Sequence, residues 1–414
     1  MKPTDSQYAF ISPPQTPGSD TSLAGILAET FDTDALDATG VSKHLVLVVI
    51  DGLGWWNLQE YLGHAPNLRS LIRLAPHESG KKPKPTAQPD PAIQPHPHAS
   101  QSTPTKLFAS NTARSVFPAT TAAAITSLLT GAAPGAHNML SYQVFDPKVD
   151  QRFNLINFEG YPGKVEDFQN HPTWFEQLTA RGAKTFALGP KRFIGGGLTR
   201  AALRGAEYVA VDALEERARR AALCGAQGTM TYLYMAEVDH AGHSHGVGSE
   251  PWLGAVEIID RAVGVLLEEL HADTEVLITA DHGMLNTCAE LTYDLATFPL
   301  ADCLTQVSGE GRVLHLRVTP GQISRVQESL SEILAPYSPD TLVLTREQTM
   351  ALFAQYNGVG VVRPELLGDV VIVSGGCSQV LDSRFFQPQT FAMKGIHGSL
   401  TEVEMRIPQL RYIC

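Results

Sequence analysis

The sequence has few cysteines and no pattern that pairs them. Its five cysteines are odd in number and stand at unrelated spacings: Cys224, Cys288, Cys303, Cys377 and Cys414. A secreted chain stabilised by disulfides usually shows an even, regularly spaced set. The cysteine pattern therefore favours a reducing compartment.

Long apolar runs are also missing. Residues 1–17 carry polar side chains and prolines where a secretory signal would need an unbroken apolar stretch. The longest apolar runs, such as 45–50, are far too short to span a bilayer. We therefore predict a cytoplasmic protein without a membrane partner.

Positive charge is scarce relative to negative charge. The 414 residues include 31 Lys and Arg against 43 Asp and Glu, giving a formal net charge of -12. Binding to a nucleic-acid polymer depends on clustered basic side chains, so the balance argues against that partner. A small phosphate ester is still compatible, because bound metal ions would supply positive charge locally.

Apolar strands and amphipathic helices alternate along the chain. Runs rich in β-branched residues, without polar alternation, predict buried strands of a parallel sheet: 45–50, 185–188, 231–235, 275–279 and 370–373. Helical patterns lie between them at 174–180, 211–223 and 252–270, the last with Ser249 as its predicted N-cap and Pro251 in its first turn. The sequence therefore predicts an α/β fold with a mostly parallel central sheet flanked by helices.

Two segments interrupt this alternation. Residues 76–105 are rich in proline and polar residues and have almost no large apolar side chain, which predicts a disordered or exposed loop. Residues 299–360 follow a β-α-β-α pattern and are interpreted as a small inserted α+β cap domain. The catalytic core would then consist of 1–298 and 361–414.

Acidic and histidine motifs follow three of the predicted strands. Asp51 follows 45–50, Asp239-His-Ala-Gly-His243 follows 231–235, and Asp281-His282-Gly follows 275–279. In an open α/β sheet such residues gather at the carboxyl ends of the strands, so these motifs can converge. His397 stands in a later Gly-Ile-His-Gly segment.

Each motif alone is more simply explained as a turn or helix cap. Together their carboxylates and imidazoles, with one hydroxyl, are enough for a two-metal hydrolase site. Three other histidines, His137, His240 and His245, are interpreted as solvated loop residues.

A hydroxyl candidate lies at the start of a predicted helix. Residues 121–130 form a good helical pattern that Gly131 ends. A hydroxyl in the first turn of a helix lies near free backbone N–H groups and the positive end of the dipole, which stabilise an alkoxide or phosphoryl oxygen. Thr120 or Thr121 could therefore be a nucleophile, while the alternative is that it only caps the helix.

These motifs resemble the alkaline phosphatase superfamily, most closely its type I phosphodiesterase and nucleotide pyrophosphatase branch. The resemblance rests on Asp-x-x-Gly-His-x-x-Gly, Asp-His-Gly and Gly-x-His-Gly, and spans 45–286 and 394–408. It implies an alkaline-phosphatase-like core. In that branch the nucleophilic threonine lies ten residues before the glycine of a Thr-Gly pair, which points to Thr121 rather than Thr120.

The resemblance also implies a ligand set and a mechanism. One zinc ion would be held by Asp51, Thr121, Asp281 and His282, and a second by Asp239, His243 and His397. Mixed carboxylate and imidazole ligands suit zinc, with Mn²⁺ or Co²⁺ as substitutes. Thr121 would attack phosphorus to form a phospho-threonine, which water then hydrolyses.

The sequence departs from the branch after the nucleophile. Members commonly continue with Phe-Pro-Asn, whereas this chain has Ala122, Ala123 and Ala124, so the resemblance does not support a preference for nucleotides. A phosphomonoesterase or phosphonate hydrolase of the same superfamily, or a non-catalytic metal-binding module, remains as an alternative. Lys191 and Arg192 are either anion contacts or ordinary surface charges. The physiological substrate and the oligomeric state are not predicted.

Overall fold

The computed structural model describes residues 5–14, 22–31, 44–74, 111–228, 230–336 and 338–414. The predicted proline-rich loop at 76–105 lies outside these residues. In the described part of the chain, no helix is both long and apolar enough to cross a membrane.

The strands and helices are numbered here along the chain. The strands are β1 His44–Ile50, β2 Thr112–Arg114, β3 Gln143–Asp146, β4 Gln151–Asn154, β5 Thr185–Gly189, β6 Glu207–Ala210, β7 Met230–Met235, β8 Thr274–Thr279, β9 Leu285–Asn286, β10 Thr292–Asp294, β11 Leu304–Glu310, β12 Val313–Val318, β13 Leu342–Thr345, β14 Val370–Val373, β15 Gln379–Leu381, β16 Gly395–Ile396 and β17 Arg406–Ile413. The helices are α1 Ile26–Thr30, α2 Trp55–Glu60, α3 Pro66–Leu74, α4 Thr121–Thr130, α5 Pro134–His137, α6 Val165–Phe168, α7 Trp174–Ala180, α8 Gly197–Ala202, α9 Leu214–Gly225, α10 Glu237–His245, α11 Glu250–Glu268, α12 Ile323–Leu334, α13 Arg346–Asn357, α14 Pro388–Phe391 and α15 Glu402–Met405.

The main sheet has seven strands in the order β2-β17-β8-β1-β7-β5-β6. Strands β8, β1, β7, β5 and β6 run parallel. At one edge β17 pairs antiparallel with β8, and β2 pairs antiparallel with β17. The predicted mostly parallel sheet is confirmed. Four of the five predicted strands lie in its parallel part, each within one residue of its predicted ends.

Strand β1 shows why these runs lack polar alternation. Its residues Leu45, Leu47 and Val49 pack against the helices α4 and α7, whereas Val46, Val48 and Ile50 pack against α9 and α11. Both faces of the strand are therefore covered, and neither requires polar side chains. The result is a central sheet with helices on both sides.

A second sheet of four strands, in the order β11-β12-β14-β13, is antiparallel throughout. Strand β14 lies at 370–373 as predicted, but its assignment to the parallel core was wrong, because it pairs with β12 and β13. The small sheet therefore extends beyond the predicted cap boundary at residue 360. The residues of β14 are buried on both faces, so its composition matches that of a core strand.

Several helix ends follow the residues predicted to set them. The Ser249 side chain accepts a hydrogen bond from the Trp252 amide at the start of α11, with Pro251 in the first turn. Helix α4 ends where Gly131 adopts the left-handed conformation, at φ 72°. Helices α9 and α11 begin and end within three residues of their predicted bounds.

The cysteine prediction was wrong at one pair. Cys288 and Cys377 form a disulfide across a sequence separation of 89 residues. Sequence spacing did not reveal this pair, because it connects the segment after β9 to the loop after β14, which only the fold brings together. The cysteine pattern therefore no longer supports a reducing compartment.

A buried ion pair connects the small sheet to helix α15. The Arg312 guanidinium, just before β12, donates to both carboxylate oxygens of Glu404 in α15, at 3.0 and 2.8 Å. Both side chains are fully buried. Glu404 also accepts from the Ser399 amide and the Thr401 hydroxyl, so it organises the loop that follows His397.

Arg312→Met should destabilise the protein strongly, because it leaves the Glu404 carboxylate buried without its cation. We expect the free energy of unfolding to fall by about 3–5 kcal/mol, measured by chemical denaturation. The matched control is Arg406→Met, whose partner Glu402 is partly exposed; it should cost about 1 kcal/mol or less. Equal losses in the two variants would contradict the structural role of Arg312.

Candidate active site

Three adjacent strands bring the acidic motifs to one edge of the main sheet. Asp51 follows β1 directly, Asp281 lies two residues after β8, and Asp239 lies in the first turn of α10 after β7. Strands β8, β1 and β7 are parallel neighbours, so their carboxyl ends meet at this edge. The structure therefore brings together the motifs that the sequence separates by up to 230 residues.

The first cluster consists of Asp51, Asp281 and His282, all buried. The Nε2 atom of His282 lies 3.6 Å from Asp51 Oδ1 and 3.4 Å from Asp281 Oδ2. The other oxygen of Asp281 accepts hydrogen bonds from the amides of Gly52 and His282, at 3.1 and 2.9 Å. The turn after β8 is thereby held against the turn after β1.

The second cluster consists of Asp239, His243 and His397. Asp239 and His243 are one helical turn apart in α10, as their spacing predicted, and His243 Nε2 lies 3.3 Å from Asp239 Oδ1. His397, from the loop after β16, places its Nε2 3.8 Å from the same oxygen. The two clusters adjoin, since the rings of His282 and His397 stack with centroids 3.6 Å apart.

Backbone carbonyls orient all three imidazoles. The Nδ1 atom of His243 lies 2.8 Å from the Gly395 carbonyl, that of His397 3.0 Å from the Ala119 carbonyl, and that of His282 3.2 Å from the Gly283 carbonyl. With Nδ1 donating to a carbonyl, Nε2 keeps its lone pair. This is how proteins orient histidines that bind a metal ion.

One oxygen of each aspartate in the two clusters has no hydrogen-bond partner. Asp51 Oδ1, Asp239 Oδ1 and Asp281 Oδ2 are buried and accept no hydrogen bond. Burial raises the pKa of Asp51 well above its usual range, and Asp281 and Asp239 raise it further. Burial also lowers the pKa of His397, reinforced by His282 and His243. Unpaired buried oxygens facing neutral imidazoles are a donor set that fits divalent cations.

The two threonines have different surroundings. Thr121 is the first residue of α4, and its Oγ1 lies 3.2 Å from His282 Nε2. Thr120 is the N-cap residue, yet its side chain makes no capping bond and donates instead to Glu310, at 3.3 Å. The alternative that Thr120 serves as a side-chain cap is therefore wrong.

The sequence did not indicate some residues that support the site. The Tyr234 hydroxyl donates to Asp51 Oδ2, and the Ser115 hydroxyl donates to the Asp281 carbonyl. Gly283 allows the backbone after His282 to approach the Val403 carbonyl more closely than a side chain would permit. Tyr234 lies within an apolar strand and Ser115 in a loop, so neither carried a signal of its own.

A cavity of about 620 Å³ is lined by Asp51 of the first cluster, by all three residues of the second cluster and by both threonines. Aromatic side chains line much of it: Tyr142, Phe193, Tyr208, Tyr232, Tyr234, Phe385 and Phe386. Arg152 and Arg192 are the lysine or arginine side chains among its described lining residues. Arg192 is exposed but faces this cavity, whereas Lys191 does not line it. Ala122, Ala123 and Ala124 are buried in the core.

The remaining histidines do not all match their predicted environment. His240 and His245 are exposed as expected, although they lie in α10 rather than in a loop. His137 is fully buried, so its interpretation as a solvated residue was wrong. Its Nδ1 accepts from the Met139 amide, which leaves Nε2 to donate to Ser127 in α4, at 2.8 Å. His137 thereby anchors the helix that carries Thr121.

Comparison with known proteins agrees with this geometry. Residues 45–399 match the family model described as Type I phosphodiesterase / nucleotide pyrophosphatase, which confirms the resemblance seen in the motifs. Ectonucleotide pyrophosphatase/phosphodiesterase family member 3 is 37% identical in Mus musculus and 36% in Rattus norvegicus, each over 73 residues. These matches cover 16% of this chain and only 8% of each relative.

Solved structures share the fold. Murine ectonucleotide pyrophosphatase / phosphodiesterase 5, in an inactive form complexed with AMP, aligns with a TM-score of 0.66 at 15% identity, covering 90% of this chain and 88% of that chain. The human protein of the same name aligns with a TM-score of 0.64 at 17% identity, covering 89% and 88%. The alkaline-phosphatase-like α/β fold is therefore confirmed.

Protonation of His137 should destabilise the fold in acid. Burial, reinforced by His171, lowers its pKa to about 3, whereas an unfolded histidine titrates near about 6.5. Between these values the unfolded state binds the extra proton, so stability is lost as pH falls from about 6.5 towards about 3, by at most about 1.4 kcal/mol per pH unit.

His137→Gln keeps an N–H donor but cannot titrate. The free energy of unfolding of this variant should therefore depend less on pH across that window than that of the wild type, measured by denaturation at several pH values. His245→Gln, at an exposed position, is the control for loss of a histidine. Identical pH slopes for His137→Gln and the wild type would contradict the prediction.

Proposed function

The chain belongs to the Type I phosphodiesterase / nucleotide pyrophosphatase family, and on that premise we propose that it is a metal-dependent phosphodiesterase with Thr121 as its nucleophile. The observation that carries the proposal is the position of Thr121 Oγ1, 3.2 Å from His282 Nε2, at the border of two clusters that fit metal ions. A non-catalytic module would not need a hydroxyl at that place.

The two clusters would hold two zinc ions, with Mn²⁺ or Co²⁺ as substitutes. Asp51, Asp281 and His282 would bind one ion together with Thr121, and Asp239, His243 and His397 the other. Two neighbouring metal ions lower the pKa of a bound hydroxyl and neutralise charge on the oxygens of the phosphoryl group that is transferred. The three unpaired carboxylate oxygens would then gain partners.

The surroundings of Thr121 support an attack by its hydroxyl on phosphorus. The first turn of α4 supplies backbone N–H groups and the positive end of the helix dipole to the phosphoryl oxygens. Attack by Thr121 Oγ1 would release the first alcohol and leave a phospho-threonine. Water entering from the cavity on the opposite side would then release the phosphate monoester and regenerate Thr121.

The cavity favours a diester with an aromatic or nucleoside group. A related structure was solved with AMP bound, and the aromatic faces here offer stacking surfaces for a base. A monoester dianion would need a further cation beside the clusters. Arg152 already donates to the Val307 carbonyl, and Arg192 lies at the exposed side.

The function is tested with p-nitrophenyl esters of matched structure. We expect the p-nitrophenyl phosphodiester to be cleaved faster than the monoester, and chelation to abolish turnover until zinc is restored. Elemental analysis should find two ions per chain, and Asp239→Ala should lose one of them. A clear preference for the monoester, or active protein that contains no transition metal, would contradict the proposal.

Thr121→Ala should close the covalent route while leaving the metal ligands from aspartate and histidine in place. We expect kcat to fall by several orders of magnitude, with metal content near that of the wild type, and no phospho-threonine after rapid acid quench. Thr120→Ala is the adjacent control and should cause a much smaller loss. Equal losses for the two variants would show that Thr121 is not the nucleophile.

A further inference from the structure

Glu310 is an acidic residue in the active-site cavity that the ligand clusters do not include. It is the last residue of β11, so the small sheet presents it to the site. Its Oε2 accepts from the Thr120 hydroxyl, next to the proposed nucleophile. Its Oε1 is buried and has no hydrogen-bond partner.

The position of Oε1 associates Glu310 with the second cluster. A side chain on Gly398, the residue after His397, would come within 2.8 Å of Oε1. Among the proposed ligands, Asp239 of the same cluster is the one whose charge acts on the pKa of Glu310, raising it after burial and Glu404. Glu310 therefore lies on the side of His397, whereas Thr121 lies against His282 of the first cluster.

Among the described residues, Glu310 forms no salt bridge. The guanidinium of Arg312 is bound to Glu404 and to the Ser378 carbonyl. Burial raises the pKa of Glu310 well above its usual range. Glu404 and Asp239 add to this shift, whereas the Thr120 hydrogen bond and the charge of Arg312 oppose it. A carboxyl held in its acid form beside a reacting centre can donate a proton at neutral pH.

We propose that Glu310 is the general acid that protonates the departing alcohol, and the general base for the second step. The inference rests on the proposed function, because an in-line attack from the Thr121 side expels the leaving oxygen towards the second cluster and Glu310. The unpaired carboxylate oxygens of Asp51, Asp239 and Asp281 would be explained by metal ions, and Glu310 Oε1 by the substrate's leaving oxygen.

The two steps balance in atoms and charge. In the first, the Thr121 alkoxide forms a bond to phosphorus, the bond from phosphorus to the leaving oxygen breaks, and the Glu310 proton moves to that oxygen. The products are an alcohol, a Glu310 carboxylate and a phospho-threonine. In the second, water gives a proton to Glu310 as its oxygen attacks phosphorus, and the bond to Thr121 breaks.

The test compares two phosphodiesters that differ only in the leaving group, one p-nitrophenyl and one simple alkyl. A p-nitrophenolate is a stable anion and leaves without a proton. A simple alkoxide is strongly basic and needs a proton as it leaves. Glu310→Gln should therefore lower kcat/KM for the alkyl ester by about 100-fold or more and change kcat/KM for the p-nitrophenyl ester little. The dependence of log kcat/KM on leaving-group pKa should become steeper.

Two variants and one independent measurement make the result decisive. Glu310→Asp keeps a carboxyl group but shortens the side chain by one methylene. It should therefore lose less kcat/KM than Glu310→Gln, and the loss should again be larger for the alkyl ester. Glu328→Gln removes one exposed carboxylate from the same part of the chain and should match the wild type on both esters. Zinc content and the circular dichroism spectrum should be unchanged in all three variants.

An equal loss on both esters, or no loss on either, would overturn the assignment of Glu310 while leaving the phosphodiesterase proposal intact. Loss of zinc from Glu310→Gln would also overturn it, because Glu310 would then act through the metal site. If the wild type cleaved neither ester, both proposals would fall together.

Discussion

The site depends on the crowding of three carboxylates in a buried place. Asp51, Asp239 and Asp281 each present an oxygen without a partner. Burial raises the pKa of Asp51, and the charges of Asp281 and Asp239 raise it further. Such a cluster is costly unless positive charge enters it. Burial lowers the pKa of His397, so this histidine does not supply that charge. Bound divalent cations would therefore stabilise the arrangement.

The parallel sheet makes this crowding possible. Strands β8, β1 and β7 end at the same edge, so each can place one carboxylate there without a long loop. Helix α4 brings its N-terminus to the same place, and the buried His137 holds that helix through Ser127. Rigid elements rather than mobile loops therefore position most of the reactive groups.

The small sheet contributes residues to the candidate active site. The ion pair between Arg312 and Glu404 fastens it to the loop that carries His397, and Glu310, two residues before Arg312, reaches the cavity. Phe385 and Phe386, which follow this sheet, line the same space. The proposed metal ligands and nucleophile would therefore lie outside the small sheet. The residues proposed to act on the leaving group would lie in the small sheet and the segment after it.

The sequence by itself determined the parallel sheet, the order of the motifs and the helix that starts at Thr121, because those features are written in local periodicity and in residues that end strands and helices. It could not assign β14 to its sheet, pair Cys288 with Cys377, or place His137 in the core, since each depends on what distant segments pack against it. Only the tertiary structure decided that Glu310 shares a cavity with Thr121. The local sequence around a single charged residue at the end of a strand does not show whether its side chain faces solvent or an active-site cavity.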